Sequence, residues 1–259
     1  MSPYILRTRN LSIYFGGLAA VDRVNFEIGP GETVGLIGPN GSGKTTFFNI
    51  ISGIYKPSDG EVWFNSEDIL GEKPHEITKR GMARTFQNNR LFWQLSILDN
   101  VILGMYSKQR ANLLDVLFRY KRARRELQGC AERAIEILYY FSPDLSEHYS
   151  RPVLDLSQGD RRRVEICRAL ASDPKLLLLD EPSAGMSPEE TEKLMEDISK
   201  VREKYKGISI IIIEHDMMVI EEIAEHVVVF NYGQKIAEGP YSEIAKNEQV
   251  LEAYLGEEL

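Results

Sequence analysis

Hydrophobic residues in the second half of the chain form short continuous runs that are separated by longer amphipathic segments. The runs cover 176–179, 208–213 and 227–230, and patterns of helical period at 189–205 and 217–225 lie between them. Strands that are buried on both faces have such continuous runs, whereas a connecting helix needs only one apolar stripe. This order of segments predicts parallel strands joined by helices in an α/β core.

The first half of the chain begins with alternating polar and apolar positions that are interrupted by turn residues. Segments 4–12, 24–28 and 61–65 predict short strands, the last of them after a turn at 56–60. The run at 33–37 is apolar and predicts a buried strand. We therefore expect an antiparallel β flank beside the α/β core.

Charged, helix-forming residues dominate the middle of the chain, for example at 121–140 and 160–171. This change of character predicts a helical insertion between the two halves of the core. We expect one domain over residues 1–259, whose parts are a core at 1–87 and 173–238, a helical lobe at 88–172 and a helical tail at 239–259.

Composition narrows the class of protein. The chain has 259 residues and a formal net charge of −8, which argues against non-specific nucleic-acid binding. Two cysteines, Cys130 and Cys167, fit a reduced cytosolic protein. Residues 1–10 lack the apolar core of a signal peptide, and the run at 208–213 is too short to cross a bilayer. These features predict a soluble protein without a nucleic-acid partner.

One motif between the strand at 33–37 and the apolar run at 47–51 matches G-x-x-x-x-G-K-[ST]. Its glycines let the backbone wrap around phosphates, and successive N–H groups at a helix N-terminus then face the anion. Lys44 can reach the β- and γ-phosphates, and the Thr45 hydroxyl can ligate Mg²⁺. The pattern predicts a nucleoside triphosphate site. Its predicted phosphate-binding residues are Gly38, Pro39, Asn40, Gly41, Ser42, Gly43, Lys44, Thr45 and Thr46.

Two carboxylates end the apolar run at 176–179, and they supply the acidic part that such a site needs. Asp180 at the end of the strand can hold Mg²⁺ through a water molecule. Glu181 can polarise a water for in-line attack on the γ-phosphate. Pro182 follows and ends the strand. The pair predicts hydrolysis rather than binding alone.

The segment Leu156-Ser157-Gln158-Gly159-Asp160, followed by three arginines, resembles the L-S-G-G-Q signature of the ATP-binding cassette (ABC) ATPases. This resemblance covers nearly the whole chain. It implies a RecA-like P-loop core with an inserted helical lobe, and ATP and Mg²⁺ as ligands. It also implies that Ser157, Gln158 and Gly159 contact ATP that is bound by a second subunit.

Other elements of that family occur in order. Phe15 matches the aromatic that stacks on adenine, and Val21 matches a residue that lines the base and ribose. Gln87 matches the glutamine that senses Mg²⁺ and the γ-phosphate, and residues 183–188 match a loop at the dimer interface. His215 matches the histidine that contacts the γ-phosphate. The resemblance thus assigns Glu181, His215 and Lys44 as catalytic and Thr45, Gln87 and Asp180 as Mg²⁺ ligands.

Residues 82–88, 180–186 and 252–256 resemble the ATPases of branched-chain amino-acid importers. This resemblance implies a peripheral subunit on the cytoplasmic face of the inner or plasma membrane. It implies a second ABC ATPase subunit (the same chain or a paralogue), integral-membrane permease subunits on the helical lobe, and an external substrate-binding protein. The alternatives are the ATPase of a lipid or lipopolysaccharide exporter, a urea or amide importer, or a soluble ABC ATPase outside transport.

Some positions depart from the family pattern or keep two interpretations. Gln158 and Asp160 replace a glycine and a glutamine of the signature, and Ser187 stands where many relatives have Asp. We hypothesise that Ser157 and the Gly159 amide carry the phosphate contact, while Asp160 points aside or caps the helix. The apolar residues at 91–98 are either lobe core or a groove for a permease helix. The basic residues at 120–125 either touch anionic headgroups or form a solvated face.

Overall fold

The computed structural model describes residues 3–87, 90–108 and 120–255. Parts of the expected helical lobe (88–89 and 109–119) and the end of the expected tail (256–259) lie outside the described residues. The chain forms two compact units. The first comprises Met1–Arg84, Lys175–Pro182 and Tyr205–Leu259, and the second comprises Thr85–Pro174 and Ser183–Lys204.

All strands of the described residues belong to the first unit. They are β1 (Leu6–Phe15), β2 (Leu18–Ile28), β3 (Thr33–Ile37), β4 (Asp59–Phe64), β5 (Glu67–Asp68), β6 (Met82–Arg84), β7 (Leu176–Asp180), β8 (Ser209–Ile213), β9 (His226–Asn231) and β10 (Gln234–Gly239). The described helices are α1 (Lys44–Ile51), α2 (Pro74–Arg80), α3 (Ile97–Leu103), α4 (Tyr120–Phe141), α5 (Pro143–Glu147), α6 (Gln158–Ala171), α7 (Pro188–Lys204), α8 (Met217–Ile223), α9 (Tyr241–Ile244) and α10 (Glu248–Leu255).

A six-stranded sheet forms the core of the first unit, in the order β10-β9-β3-β8-β7-β6. All its neighbouring pairs are parallel except β9 and β10. Strands β3, β7 and β8 are buried at every position, which explains their uninterrupted apolar sequences. The predicted parallel strands are confirmed. The parallel strands β3, β7 and β8 also end at one edge of the sheet, where a ligand site is expected.

A second sheet, β2-β1-β4-β5, is antiparallel and confirms the predicted flank. The predicted strand bounds at 4–12 and 24–28 were wrong. β1 continues to Phe15 and β2 begins at Leu18, because a tight turn at Gly16 and Gly17 pairs Phe15 with Leu18. Strands β5, β6 and β10 were not predicted, since they are short or lack an apolar run. The hairpin places exposed residues of β1 beside a buried core that includes Phe26, Phe47 and Phe230.

The second unit is helical in its described residues, and α4 and α6 confirm the predicted helices at 121–140 and 160–171. It also includes α7, which lay outside the predicted lobe at 88–172. One link between α7 and the rest of this unit is an ion pair, in which the buried Asp197 of α7 binds Arg163 of α6 at 2.7 Å. Among the described residues, every helix is too short or too polar to span a lipid bilayer.

Candidate active site

The loop at 38–45 wraps tightly around the Lys44 side chain in the first unit. Lys44 Nζ donates to the carbonyl oxygens of Gly38 at 2.6 Å and Pro39 at 2.9 Å, and it lies 3.4 Å from Ser42 Oγ. Lys44 is buried. An ammonium group that already holds the loop closed is pre-positioned for a phosphate, because little side-chain freedom remains to be lost.

Two glycines of this loop are required by close backbone contacts. Gly38 has φ 145°, and a Cβ atom there would lie 2.1 Å from the carbonyl oxygen of Phe230. Gly43 precedes α1 with φ 103°, and its Cβ atom would lie 2.4 Å from the carbonyl oxygen of Ala20. The glycine spacing of the motif therefore follows from packing against β9 and β2, as well as from the need to approach a ligand.

The hairpin between β9 and β10 supports the same loop. The Gly233 N–H donates to the Ser42 carbonyl at 2.9 Å, and the Asp22 N–H donates to the Gly233 carbonyl at 2.8 Å. This bracing aligns the N–H groups at the start of α1, where Thr45 is exposed and Thr46 is half-buried. The result is an anion site at a helix N-terminus, with Asn40 and Gly41 exposed on its rim.

The two carboxylates at the end of β7 differ in burial and in backbone conformation. Asp180 is buried, whereas Glu181 is partly exposed and has φ 47°, an uncommon conformation for a residue with a side chain. The Glu181 N–H donates to the Ile213 carbonyl at 2.9 Å, which fixes this conformation. Glu181 Oε1 lies 3.0 Å from His215 Nε2. The structure therefore brings together the predicted catalytic carboxylate and histidine.

Arg84 is a site residue to which sequence reasoning assigned no role. It donates to Asp180 Oδ2 at 2.7 Å, and both side chains are buried. The same guanidinium donates to Asn49 Oδ1 at 2.8 Å and Ser52 Oγ at 3.0 Å. Arg84 thus joins β6, the acidic end of β7 and the end of α1. The sequence around Arg84 has no pattern that predicts this role.

The oxygen groups of the first unit fit a magnesium ion. Mg²⁺ prefers carboxylate, hydroxyl, water and phosphate oxygens. The Thr45 hydroxyl lies on the first turn of α1, and Asp180 is an anchored carboxylate at the end of β7. Gln87 belongs to the second unit, where its side chain is exposed. The assignment of these three residues as Mg²⁺ ligands stays a prediction.

The two residues expected near the base differ in exposure. Phe15 is half-exposed at the end of β1, and its ring meets that of Tyr55 edge-on at 5.6 Å. An exposed aromatic face there is compatible with stacking on a base. Val21 is fully buried in the core of the first unit. The roles of Phe15 and Val21 in binding a nucleotide stay predictions.

The signature segment lies at the N-terminus of α6 in the second unit. Ser157 is the N-cap and accepts from the Asp160 N–H at 3.1 Å. Asp160 Oδ1 lies 3.2 Å from an Arg163 nitrogen, so its carboxylate turns along the helix. This supports the hypothesis that Asp160 points aside. The Gln158 side-chain amide donates to the Ala184 carbonyl at 2.9 Å, a contact that a glycine could not make.

Ser187 precedes α7 and forms one half of a capping box. Its hydroxyl accepts from the Glu190 N–H at 3.3 Å, and its own N–H donates to Glu190 Oε2 at 3.1 Å. The other oxygen of Glu190 accepts from the Ser157 hydroxyl at 3.0 Å. Glu190 was not predicted as a site residue, although the S-x-x-E spacing is a recognisable signal of helix capping.

The backbone around Gln87 is held by α6. Arg162 donates to the carbonyl oxygens of Phe86 and Gln87, the second at 3.1 Å, and it pairs with Glu165 at 2.8 Å. Glu165 in turn accepts from the Phe86 N–H at 3.3 Å. Burial raises the pKa of Glu165, although Arg162 opposes the shift. Arg162 and Glu165 are buried and were missed, because a run of arginines reads as a solvated face.

Comparison with known families and sequences agrees with this geometry. The sequence profile described as ABC transporter matches residues 21–184, and the profile described as branched-chain amino acid ATP-binding cassette transporter matches residues 234–259. The chain is 38% identical to the high-affinity branched-chain amino acid transport ATP-binding protein BraF of Pseudomonas aeruginosa, over 99% of this chain and 100% of that protein. It is also 38% identical to LivG of Escherichia coli, which has the same description, over 99% and 100%.

Solved structures of ATP-binding cassettes are also similar to this chain. A nucleotide-free ATP-binding cassette from an ABC transporter is 34% identical and superposes with a TM-score of 0.83, covering 97% of this chain and 98% of the other. A dimeric ATP-binding cassette in a post-hydrolysis state with ADP and phosphate is 27% identical, with a TM-score of 0.73 and coverage of 91% and 98%. The predicted fold class, a P-loop α/β core with an antiparallel flank and a helical lobe, is confirmed.

Proposed function

The chain belongs to the ABC transporter family, and from this premise we propose that it is the ATP-hydrolysing subunit of a transporter that imports branched-chain amino acids. The observation that carries the proposal is the joint occurrence of a hydrolytic site and a specific C-terminal match. The first unit holds the braced phosphate loop and the Glu181–His215 pair. Residues 234–259 match the branched-chain amino acid profile.

Each catalytic residue has a distinct role in the proposed reaction. Lys44 and the N–H groups at the start of α1 hold the phosphates of ATP. Glu181 accepts the proton of the attacking water, and His215, within hydrogen-bonding distance, orients that carboxylate. A bound Mg²⁺ supplies neutralising charge for the phosphate oxygens. Thr45 and Asp180 are the residues of this unit that would hold it.

The proposed active form is a dimer with two shared sites. The phosphate loop belongs to the first unit and the signature at Ser157 to the second, and the family resemblance assigns the signature to the partner's ATP. A solved relative is a dimer in a post-hydrolysis state with ADP and phosphate. ATP can drive closure only because it binds the closed dimer more tightly than the open form. The second subunit is another copy or a paralogue.

The proposed cargo and partners rest on the relatives. Both BraF and LivG are described as high-affinity branched-chain amino acid transport proteins. In the proposed transporter, this chain works at the cytoplasmic face of the membrane with permease subunits and an external binding protein. Exposed apolar side chains on the second unit offer a surface for a permease helix: Phe92, Trp93, Leu95 and Leu154. Export of lipid or lipopolysaccharide and import of urea or amides remain the alternatives.

The partner assignment is tested by purifying the tagged protein from its native membranes in mild detergent. We expect two permease subunits and an external protein that binds leucine, isoleucine or valine. Recovery of permeases with an export partner would favour lipid export. Recovery of ribosomes, or of no membrane protein, would contradict transport while leaving the ATPase activity to be judged separately.

The catalytic assignment is tested by Glu181→Gln in the purified complex. Loss of a general base typically slows a reaction by about 10²- to 10⁴-fold, so we expect hydrolysis to fall in this range while ATP binding persists. Glu222→Gln on α8 is the control, because it removes an exposed carboxylate from the same unit. Equal hydrolysis by both variants would remove Glu181 from the mechanism.

A further inference from the structure

The Glu190 carboxylate lies on the part of the signature that is predicted to receive phosphate. Its Oε1 atom accepts from the Ser157 hydroxyl at 3.0 Å. A Cβ atom placed on Gly159 would lie 2.8 Å from the same oxygen, so the Gly159 backbone is directly beside it. Gly159 is buried in this arrangement. An anionic group of the chain itself therefore covers the N-terminus of α6.

The second carboxylate oxygen of Glu190 accepts a different hydrogen bond. Oε2 accepts from the Ser187 N–H at 3.1 Å and completes the capping box of α7. Capping uses this one oxygen and leaves Oε1 for the signature. Hydrogen bonds from the Ser187 N–H, the Ser157 hydroxyl and, more weakly, the Gly159 N–H hold the pKa of Glu190 below its usual range. Glu190 is therefore charged at neutral pH.

A γ-phosphate and the Glu190 carboxylate require the same donors. Ser157 has one hydroxyl proton to donate, and it already points to Oε1 in the chain as it stands. The negative charges of the phosphate and of the Glu190 carboxylate would also repel each other if both contacted Ser157 and Gly159. This repulsion strengthens when water leaves a closing interface. Phosphate binding to Ser157 and Gly159 thus requires that Oε1 withdraw.

We propose that Glu190 occupies the Ser157 and Gly159 donors in the open form and is replaced there by a phosphate oxygen when the ATP-bound dimer closes. The inference rests on the proposed function, because it takes the partner's ATP as the incoming anion. The contact keeps the N-terminus of α6 satisfied in the open form. It also weakens closure, because each site that uses the signature of this chain must exchange one hydrogen bond.

The test compares Glu190→Gln with Glu189→Gln, both in the Glu181→Gln background that slows hydrolysis. Each variant removes one negative charge from the start of α7. Glu189 accepts from the Ser187 hydroxyl at 2.8 Å, whereas the Ser157 hydroxyl donates to Glu190. A glutamine at 190 keeps a carbonyl oxygen for the Ser187 N–H. The chain is expressed with whichever ATPase subunit co-purifies with it, and ATP-dependent dimerisation is measured by sedimentation.

We expect the dimer dissociation constant of the Glu190→Gln protein to be about threefold to thirtyfold lower than that of the Glu189→Gln protein, since one modest hydrogen-bond exchange is relieved at each site that uses the signature of this chain. ATP binding by the separate subunit should stay the same. Glu190→Asp, which keeps the charge but is one methylene shorter, should lie between the two. Equal or weaker dimerisation by Glu190→Gln would overturn the inference. If no form dimerises with saturating ATP, the proposed dimer itself fails.

Discussion

Replacement of Arg163 by methionine tests what holds the second unit together. The Arg163 side chain is buried and binds Asp197 at 2.7 Å and Asp144 at 2.9 Å, so one guanidinium joins α6 to α7 and α5. Asp197 is itself buried. Methionine would fill similar space but leave the Asp197 carboxylate without its main counter-charge.

The expected loss of stability follows from the contacts that remain. Breaking a buried ion pair by removing one partner typically costs about 3–5 kcal/mol. Asp197 keeps Ser142 at 3.1 Å and Lys200 at 2.9 Å, which places the cost near the lower end. Asp144 is half-exposed and keeps Lys193, so it adds little. A loss of about 3 kcal/mol in a chain of this size lowers the unfolding midpoint by roughly 6–12 °C.

The assay follows unfolding in the second unit separately from unfolding in the first. The chain has two tryptophans, Trp63 in the first unit and Trp93 in the second. In a Trp63→Phe background, tryptophan fluorescence during heating therefore reports on the surroundings of Trp93. The control is Arg133→Met, which breaks an exposed pair with Glu136, and we expect it to cost less than about 1 kcal/mol.

Acid should narrow, by a small amount, the difference in unfolding midpoint between the Arg163→Met protein and the parent. Burial alone would raise the pKa of Asp144, but hydrogen bonds from Arg163 and Lys193 outweigh it and hold this pKa well below its usual range. A depressed pKa adds stability above the unfolded value, near 4, and this part is lost as pH falls through the folded value. Equal midpoints for the Arg163→Met and Arg133→Met proteins at pH 7 would refute the reasoning.

Three further changes test the active site. Gly43→Ala should abolish ATP binding in equilibrium titrations, because its Cβ atom would lie 2.4 Å from a backbone oxygen of β2; retained affinity would show that the loop can move aside. Arg84→Lys keeps the positive charge, but a lysine cannot contact all the partners of Arg84 at once. The Mg²⁺ concentration that gives half-maximal ATP binding should therefore rise severalfold, while ADP binding without Mg²⁺ is unchanged. An unaltered Mg²⁺ dependence would show that Arg84 does not contribute to the role of Asp180. Arg162→Lys should speed amide exchange at Phe86 about tenfold or more, because Glu165, which accepts from the Phe86 N–H, loses its bond to Arg162; unchanged exchange would count against the anchoring role of Arg162.

The sequence predicted the parts of the fold that follow from uninterrupted apolar runs and from backbone chemistry. Strands β3, β7 and β8 are buried on both faces, so their sequences carry the signal directly. The phosphate loop was predictable because its glycines and lysine act through the local backbone. By contrast, β10 is only half-buried, and its place beside β9 depends on tertiary pairing.

Charged residues that act through buried partners were beyond prediction from the sequence. Arg84, Arg162 and Arg163 are buried, yet arginines in a sequence usually indicate a solvated surface. Each becomes interior because a carboxylate or a carbonyl far along the chain meets it there. The same applies to Glu190, whose spacing from Ser187 predicts a helix cap but not a contact with Ser157.

The departures of this chain from its family pattern form one connected arrangement in the second unit. Gln158, in place of a glycine, binds the Ala184 carbonyl, and Asp160, in place of a glutamine, turns to Arg163. Ser187, in place of an aspartate, caps α7 together with Glu190, whose second oxygen returns to the signature serine. An aspartate at 187 would add a negative charge beside Glu190, whereas serine caps the helix without that repulsion. We therefore expect the effects of these substitutions on stability to be non-additive. Restoring one family residue alone should destabilise the start of α6 more than restoring all of them together.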